Sequence, residues 1–143
     1  AGERLWSVNC DIAVPCATQN ELDEKNAQSL VEHGCGYVVC GANMPCTPKA
    51  IHVFEDAKVV FVPSKAANAG GVAVSAFERT QNAILYDWDT DKVDNRLLDV
   101  MKSIHVCCVE FGKDKNGHID YRIGANRAAF ERVAKAMRAQ GAM

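Results

Sequence analysis

Four prolines and ten glycines in 143 residues are too few for a collagen-like or low-complexity chain, and no repeat recurs along it. Sixteen basic residues stand against eighteen acidic ones with no basic run, which removes the electrostatic footprint of a nucleic-acid surface; no nucleic-acid partner is expected. Long apolar runs are missing as well. Stretches such as Val59-Val60-Phe61-Val62 or residues 70–77 are far too short to cross a bilayer, and the first residues form no charged-then-apolar leader, so no membrane partner is expected. Paired zinc spacing is absent from the seven cysteines (Cys10, Cys16, Cys35, Cys40, Cys46, Cys107 and Cys108), and the four histidines show no HExxH spacing. No metal is expected, and an odd number of cysteines without a disulfide-scaffold pattern suits a reducing cytoplasm. Ala1-Gly2-Glu3-Arg4 also lacks an initiator methionine, and the chain reads as the tail of something longer.

What is present fits one domain with a real core. Residues 10–15 are short, apolar and closed by Pro15, as in a buried strand. Thr18 and Glu21 have capping-box spacing ahead of Leu22, Leu30 and Val31, which predicts a helix ended by His33-Gly34. Residues 36–40 give a second strand, and Thr47-Pro48 offers an N-cap followed by proline at the first helical position. Residues 58–63 give a third strand. Such alternation predicts an α/β fold with parallel strands, the latter half of a Rossmann-like doubly wound sheet. Beyond Pro63 the signal becomes helical: Asp89-Thr90 opens a helix bearing Val93, Leu97, Met101, Ile104 and Cys108. After the Asn116-Gly117 turn, Phe130, Val133, Ala134 and Met137 mark one face of a last helix ending before Gly141. The expected organisation is a half of a nucleotide-binding sheet over residues 1–69, then a helical segment over 70–143.

In open α/β sheets ligands bind beyond the carboxyl ends of the strands, here the loops that begin at Cys16, Gly41 and Ser64. They are rich in small residues, which let a flat ligand approach the backbone, and in amides, which both donate and accept hydrogen bonds. A carboxamide such as that of nicotinamide suits them. A single asparagine after a strand ordinarily stabilises a turn; three at one sheet edge call for more. Gly70-Gly71 at a helix start leaves N–H groups suited to a carboxylate, with Val72 and Ser75 on one face, although a serine there ordinarily bonds its own backbone. His105, Cys107 and Cys108 fit a core face better than a metal site or a nucleophile. No Gly-x-Gly-x-x-Gly occurs, so the chain is suited to completing a dinucleotide site, not to beginning one.

The stretches DIAVPCATQNEL at 11–22, GANMP at 41–45 and KAANAGGVAVS at 65–75 resemble the C-terminal part of hexameric glutamate dehydrogenases, as does the tail from Tyr121 through Gly124-Ala125-Asn126 to Gly141. The resemblance implies an enzyme that interconverts L-glutamate and 2-oxoglutarate with release or uptake of ammonia. Its catalytic lysine and aspartate lie outside this sequence, so the 143 residues alone are expected to be inactive, and the full-length enzyme is expected to be a homo-hexamer. It also implies that Cys16, Ala17, Asn43 and Asn68 line the nicotinamide and its ribose. Val72 and Ser75 are similar to residues around the substrate side chain, the serine being the one that binds the distal carboxylate. An apolar residue stands there in the leucine- and phenylalanine-type relatives. The wording is closest to NADP-using members, which makes NADP the expected coenzyme, with NAD as the other. Ser64, Cys46 and Ala76-Phe77-Glu78-Arg79 depart from the family's usual residues, in packing positions. The alternative reading is a stand-alone, non-catalytic nucleotide-binding or subunit-interaction module, which predicts a closed, well-covered body.

Overall fold

A computed structural model describes residues 5–142; Ala1 to Arg4, which carry the reading about the missing methionine, and Met143 lie outside the described residues. After a short 3-10 turn at Leu5–Ser7 come β1 (Ile12–Ala13), α1 (Glu24–Glu32), β2 (Tyr37–Val39), α2 (Pro48–Asp56), β3 (Val60–Val62), α3 (Ser64–Ala67), α4 (Ala69–Ile84), α5 (Thr90–Gly112) and α6 (Tyr121–Ala139). The three strands form one parallel sheet in the order β1-β2-β3, with Ile12 opposite Tyr37 and Val38 opposite Phe61. This is the expected α/β architecture: parallel strands joined by helices, followed by helices alone.

Apolar side chains on α1 and α2 drive the packing onto one face of the sheet. Phe54, Leu22, Leu30 and Val38 are fully enclosed there with Ala27, Ala50 and Cys40, and the Phe54 ring stacks on Phe61 of β3 with centroids 6.1 Å apart. Burying a side chain of Phe or Leu size contributes roughly 1.5–3 kcal/mol, so these few residues are the main hold on the α/β half. Helix α2 begins as its sequence dictates: the Thr47 hydroxyl accepts from the Ala50 N–H, with Pro48 at the first turn.

The start of α1 differs from the expectation. Thr18 caps nothing there; the Glu21 carboxylate turns back to accept from Ala17 N–H at 2.9 Å, and the helix opens at Glu24 with Asp23 as cap, accepting from Asn26 N–H at 2.9 Å. The reason lies in Leu22. Its N–H donates to Pro45 O and its carbonyl accepts from Thr47 N–H, both at 3.0 Å, so residue 22 is held as a strand-like bridge beside Cys46 and cannot enter a helix. His33 and Gly34 do end α1, the glycine with φ +83°.

Helices α5 and α6 cross so closely that backbone meets backbone at Gly112 and Gly124, both of them buried. The expected face of α6 does not make this contact. Phe130 (75% exposed), Val133 (59%) and Met137 (40%) point outward, while Tyr121, Gly124 and Ala128 face α5 or the sheet. Asp120 caps α6 by accepting from Ile123 N–H at 2.8 Å, while its own N–H donates to Gly112 O. Replacing Asp120 with alanine should therefore cost about 1 kcal/mol, read as a lower urea midpoint at unchanged slope. No loss beyond the scatter of repeat measurements would show that the cap is not what starts α6. Among the described residues no helix is long and apolar enough to cross a membrane.

Candidate functional site

The loops after β1 and β2 converge at the carboxyl edge of the sheet with the segment after β3, which is not a loop from Ser64 but the short helix α3 leading through Asn68 into α4. Gly41 and Ala42 N–H both donate to Pro15 O, at 3.0 and 3.2 Å, which ties the second loop to the first. Met44 N–H donates to Ser64 Oγ at 3.4 Å and Asn20 N–H donates to Met44 O at 3.0 Å, which ties in the third. Asn20 and Met44 adopt left-handed backbone (φ +56° and +49°), a conformation few side-chain-bearing residues take and one that appears where the surrounding bonds demand it.

Between these loops lies an open pocket of about 400 Å³ lined by Cys16, Ala17, Asn43 and Asn68, together with residues 18–19 and 41–42. All four residues expected around a nicotinamide meet here. Asn68 Nδ2 donates to Asn43 Oδ1 at 2.8 Å, so each amide fixes the other, and Asn68 Oδ1 and Asn43 Nδ2 are left as one acceptor and one donor for a ligand. Glycine at 41 keeps the floor low: a Cβ there would fall 2.4 Å from Cys16 Sγ and force the thiol aside. A flat group with a carboxamide fits this lining, because small residues supply the floor and the paired amides supply complementary polar atoms.

Val72 and Ser75 lie outside that lining. They follow Asn68 along α4, and at 3.6 residues per turn the three lie within about 60° of one another on the helix surface. Val72 is 70% exposed, and Ser75 Oγ donates to Gly71 O at 3.2 Å, the back-bonding ordinary for a helical serine. Gly71 N–H is itself engaged with Asn68 O at 3.2 Å. The chain thus presents this face next to the pocket without closing it.

The remaining polar candidates find local partners. His105 Nδ1 pairs with the Tyr121 hydroxyl at 3.0 Å and His33 Nδ1 with Ser29 O at 2.7 Å, and among the described residues no group of three His, Cys, Asp or Glu is arranged to hold a metal. Cys108 is buried beneath Gly124, and that burial pushes its thiol up, which suits packing and not nucleophilic attack. Sequence reasoning missed a second cavity of about 490 Å³ on the other side of the loops, walled by Cys40, Cys46 and Phe61 and edged by Lys65 and Asn126. Its walls come from separated segments, so no local motif announces it.

The chain matches the Glutamate/Leucine/Phenylalanine/Valine dehydrogenase family over residues 1–141. It belongs to that family. A glutamate dehydrogenase of Bacteroides thetaiotaomicron is 53% identical over 140 residues, which are 98% of this chain and 32% of that protein. The NADP-specific glutamate dehydrogenase of Salmonella typhimurium is 54% identical over 140 residues, 98% of this chain and 31% of that protein. Among solved structures, Plasmodium falciparum glutamate dehydrogenase 2 superposes with a TM-score of 0.90 at 42% identity, over 97% of this chain and 30% of that one. The chain therefore spans about a third of the length of the curated relatives it matches. The tryptophan dehydrogenase of Nostoc punctiforme, at 19% identity and a TM-score of 0.67, shares the fold. Family membership gives the carboxyl-edge pocket its context, since its members are named for dehydrogenation of amino acids.

Proposed function

We propose that this chain is part of a glutamate dehydrogenase that catalyses the reversible oxidative deamination of L-glutamate to 2-oxoglutarate and ammonia, with NADP or alternatively NAD, as a cytoplasmic homo-hexamer. The observation that carries the reading is the pocket that unites Cys16, Ala17, Asn43 and Asn68 in a member of this family. Relatives that are NADP-specific support that coenzyme, and an NAD-specific one from Bacteroides fragilis at 47% identity keeps the other in play.

In this reading residues 1–69 are the C-terminal half of the dinucleotide-binding domain, and residues 70–143 return toward a substrate domain outside this chain. Nicotinamide, when bound, accepts or returns a hydride. The chain's own part is to hold the ring: small residues allow it onto the floor, and the Asn43–Asn68 pair binds the carboxamide or ribose hydroxyls. Val72 and Ser75 then face the glutamate side chain, with Ser75 turning its hydroxyl from Gly71 O to the distal carboxylate. Proton transfer falls to residues beyond these 143, so the isolated chain turns nothing over. The exposed Val72, Phe130 and Val133 favour this reading over a self-sufficient module, for which a covered surface is expected.

The test is glutamate-dependent reduction of NADP and of NAD by the full-length polypeptide that contains this chain. Absence of turnover with both coenzymes would remove the proposal. Within that enzyme, Asn68→Ala leaves Asn43 without its partner and should weaken dinucleotide binding by about tenfold, a loss of roughly 1.5 kcal/mol expected for hydrogen bonds of this kind. Coenzyme titration by fluorescence reads it; an unchanged Kd rejects the role given to the amide pair.

A further inference from the structure

Residues 41–45, the stretch that carries Asn43, are bracketed by two cysteines. Cys40 follows β2 and Cys46 precedes the Thr47 cap of α2; both are buried, at 1% and 5% exposure, and their Sγ atoms lie 3.8 Å apart. A disulfide needs about 2.05 Å between sulfurs, so side-chain rotation and a slight drawing-in of the intervening loop would close the gap. The flanking backbone is pinned on both sides: Cys40 N–H donates to Val62 O at 3.1 Å, and Leu22 clasps Pro45 O and Thr47 N–H around Cys46. Closure works against these ties, and its strain falls on the loop between them.

The pair is buried but not sealed. Both cysteines wall the cavity of about 490 Å³, which is far larger than a peroxide molecule and opens beside Lys65 and Asn126. The sulfur contact helps one partner to ionise: hydrogen bonding from Cys46 pulls the Cys40 thiol down, while the same contact, followed by burial, pushes Cys46 up. With Cys40 as the attacking sulfur Cys46 resolves, and exchange of the two roles gives the same cross-link.

We propose that Cys40 and Cys46 are an oxidative modification site, joined into an intramolecular disulfide by a peroxide-class oxidant, and that closure displaces the Asn43 loop and weakens dinucleotide binding. In the first step the Cys40 thiolate attacks one peroxide oxygen. The O–O bond breaks, a sulfenic acid forms, and the departing hydroxide takes up the thiol proton as water. In the second, the Cys46 sulfur displaces hydroxide from the Cys40 sulfur and gives up its proton to it, releasing a second water. Two thiols and one peroxide become a disulfide and two waters, with two electrons passing from the sulfurs to the peroxide. A dithiol reductant reverses it.

The loop has little slack to absorb the closure. Gly41 and Ala42 are tied to Pro15 O, Met44 to Ser64 and Asn20, and Asn43 Oδ1 to Asn68 Nδ2. Drawing the ends together therefore reaches the amide pair. This effect on binding rests on the coenzyme reading given above; the cross-link itself does not.

The experiment treats the full-length polypeptide with hydrogen peroxide and follows the linkage and the coenzyme separately. Cyanogen bromide cuts after Met44, between the two cysteines, so the halves stay together only when cross-linked, and tandem mass spectra distinguish Cys40 from Cys35. Expected are a 40–46 linkage reversed by dithiothreitol, a rise of about fivefold or more in the Kd of NADPH or NADH, and neither change in Cys46→Ala or Cys46→Ser. Peroxide treatment that oxidises other cysteines and leaves 40 and 46 unlinked overturns the modification site. Linkage with an unchanged Kd overturns the coupling. Failure of the reduced protein to bind either coenzyme rejects the proposed function, and with it the coupling, while the fragment masses still decide the linkage.

Discussion

Replacing Gly124 with alanine is expected to destabilise the chain by about 3 kcal/mol or more, the upper end of what overpacking costs. A Cβ at this position would fall 2.0 Å from Cys108 O and 2.9 Å from its carbonyl carbon, and both atoms belong to helix backbone that cannot turn aside. The neighbouring crossing point gives no relief, since a Cβ on Gly112 would fall 2.3 Å from Asp120 O. Helix α6 must then move away from α5 by about 1 Å or more, which breaks the close packing at the crossing. That shift pulls on the Asp120 N–H to Gly112 O bond and on the Lys65 side chain, whose ammonium donates to Asn126 Oδ1 from α3, three residues before Asn68. The urea midpoint measures the cost, and Gly71→Ala is the control: it has open space around it and an ordinary φ, so it should gain up to about 1 kcal/mol from helix propensity. A Gly124→Ala chain within about 1 kcal/mol of the parent would mean that the two helices are not held at this distance.

Gly124 also shows why part of the fold was hidden in the sequence. Apolar periodicity on α6 favours Phe130, Val133 and Met137, yet these are exposed, and the crossing with α5 is made by Gly124 and Ala128, which have almost no side chain to detect. A close helix crossing is made by absence, and a search for large apolar residues passes over it. The parallel strands and α2 were legible because their causes are local: short apolar runs, the first and third ended by Pro15 and Pro63, and the Thr47-Pro48 start. The start of α1 was misread because Leu22 is captured by Pro45 and Thr47, a contact between segments that no window around Thr18 contains. For the pocket the rule about strand ends picked out three segments that the fold does bring together, and amides from two of them meet. The cavity beside Cys40 and Cys46 stayed hidden because its walls come together only in the folded chain.

Ser75→Ala carries the sharpest functional expectation. Without substrate the Ser75 hydroxyl donates to Gly71 O, a bond that does little for the helix, and its loss should leave stability unchanged or slightly raised because alanine is the better helix former. With glutamate bound, the proposed function gives that hydroxyl a charged acceptor, and a hydrogen bond to a charged group contributes roughly 1.5–3 kcal/mol. The full-length enzyme bearing Ser75→Ala should therefore lose about 10- to 100-fold in kcat/KM for glutamate. Because the distal carboxylate is unchanged during the reaction, the bond holds ground state and transition state alike, and the loss should appear mainly in KM. Discrimination should narrow in the same variant: glutamate loses its bond, whereas an amino acid with an apolar side chain of similar length, beside which the hydroxyl stays on Gly71 O, loses nothing, so its relative kcat/KM rises. Steady-state kinetics with glutamate and norleucine, alongside thermal unfolding, separate these effects. A glutamate KM unchanged in a folded Ser75→Ala enzyme would remove Ser75 from the substrate site and leave the carboxylate to residues outside this chain, whereas a raised KM at intact stability ties the exposed face of α4 to the glutamate side chain.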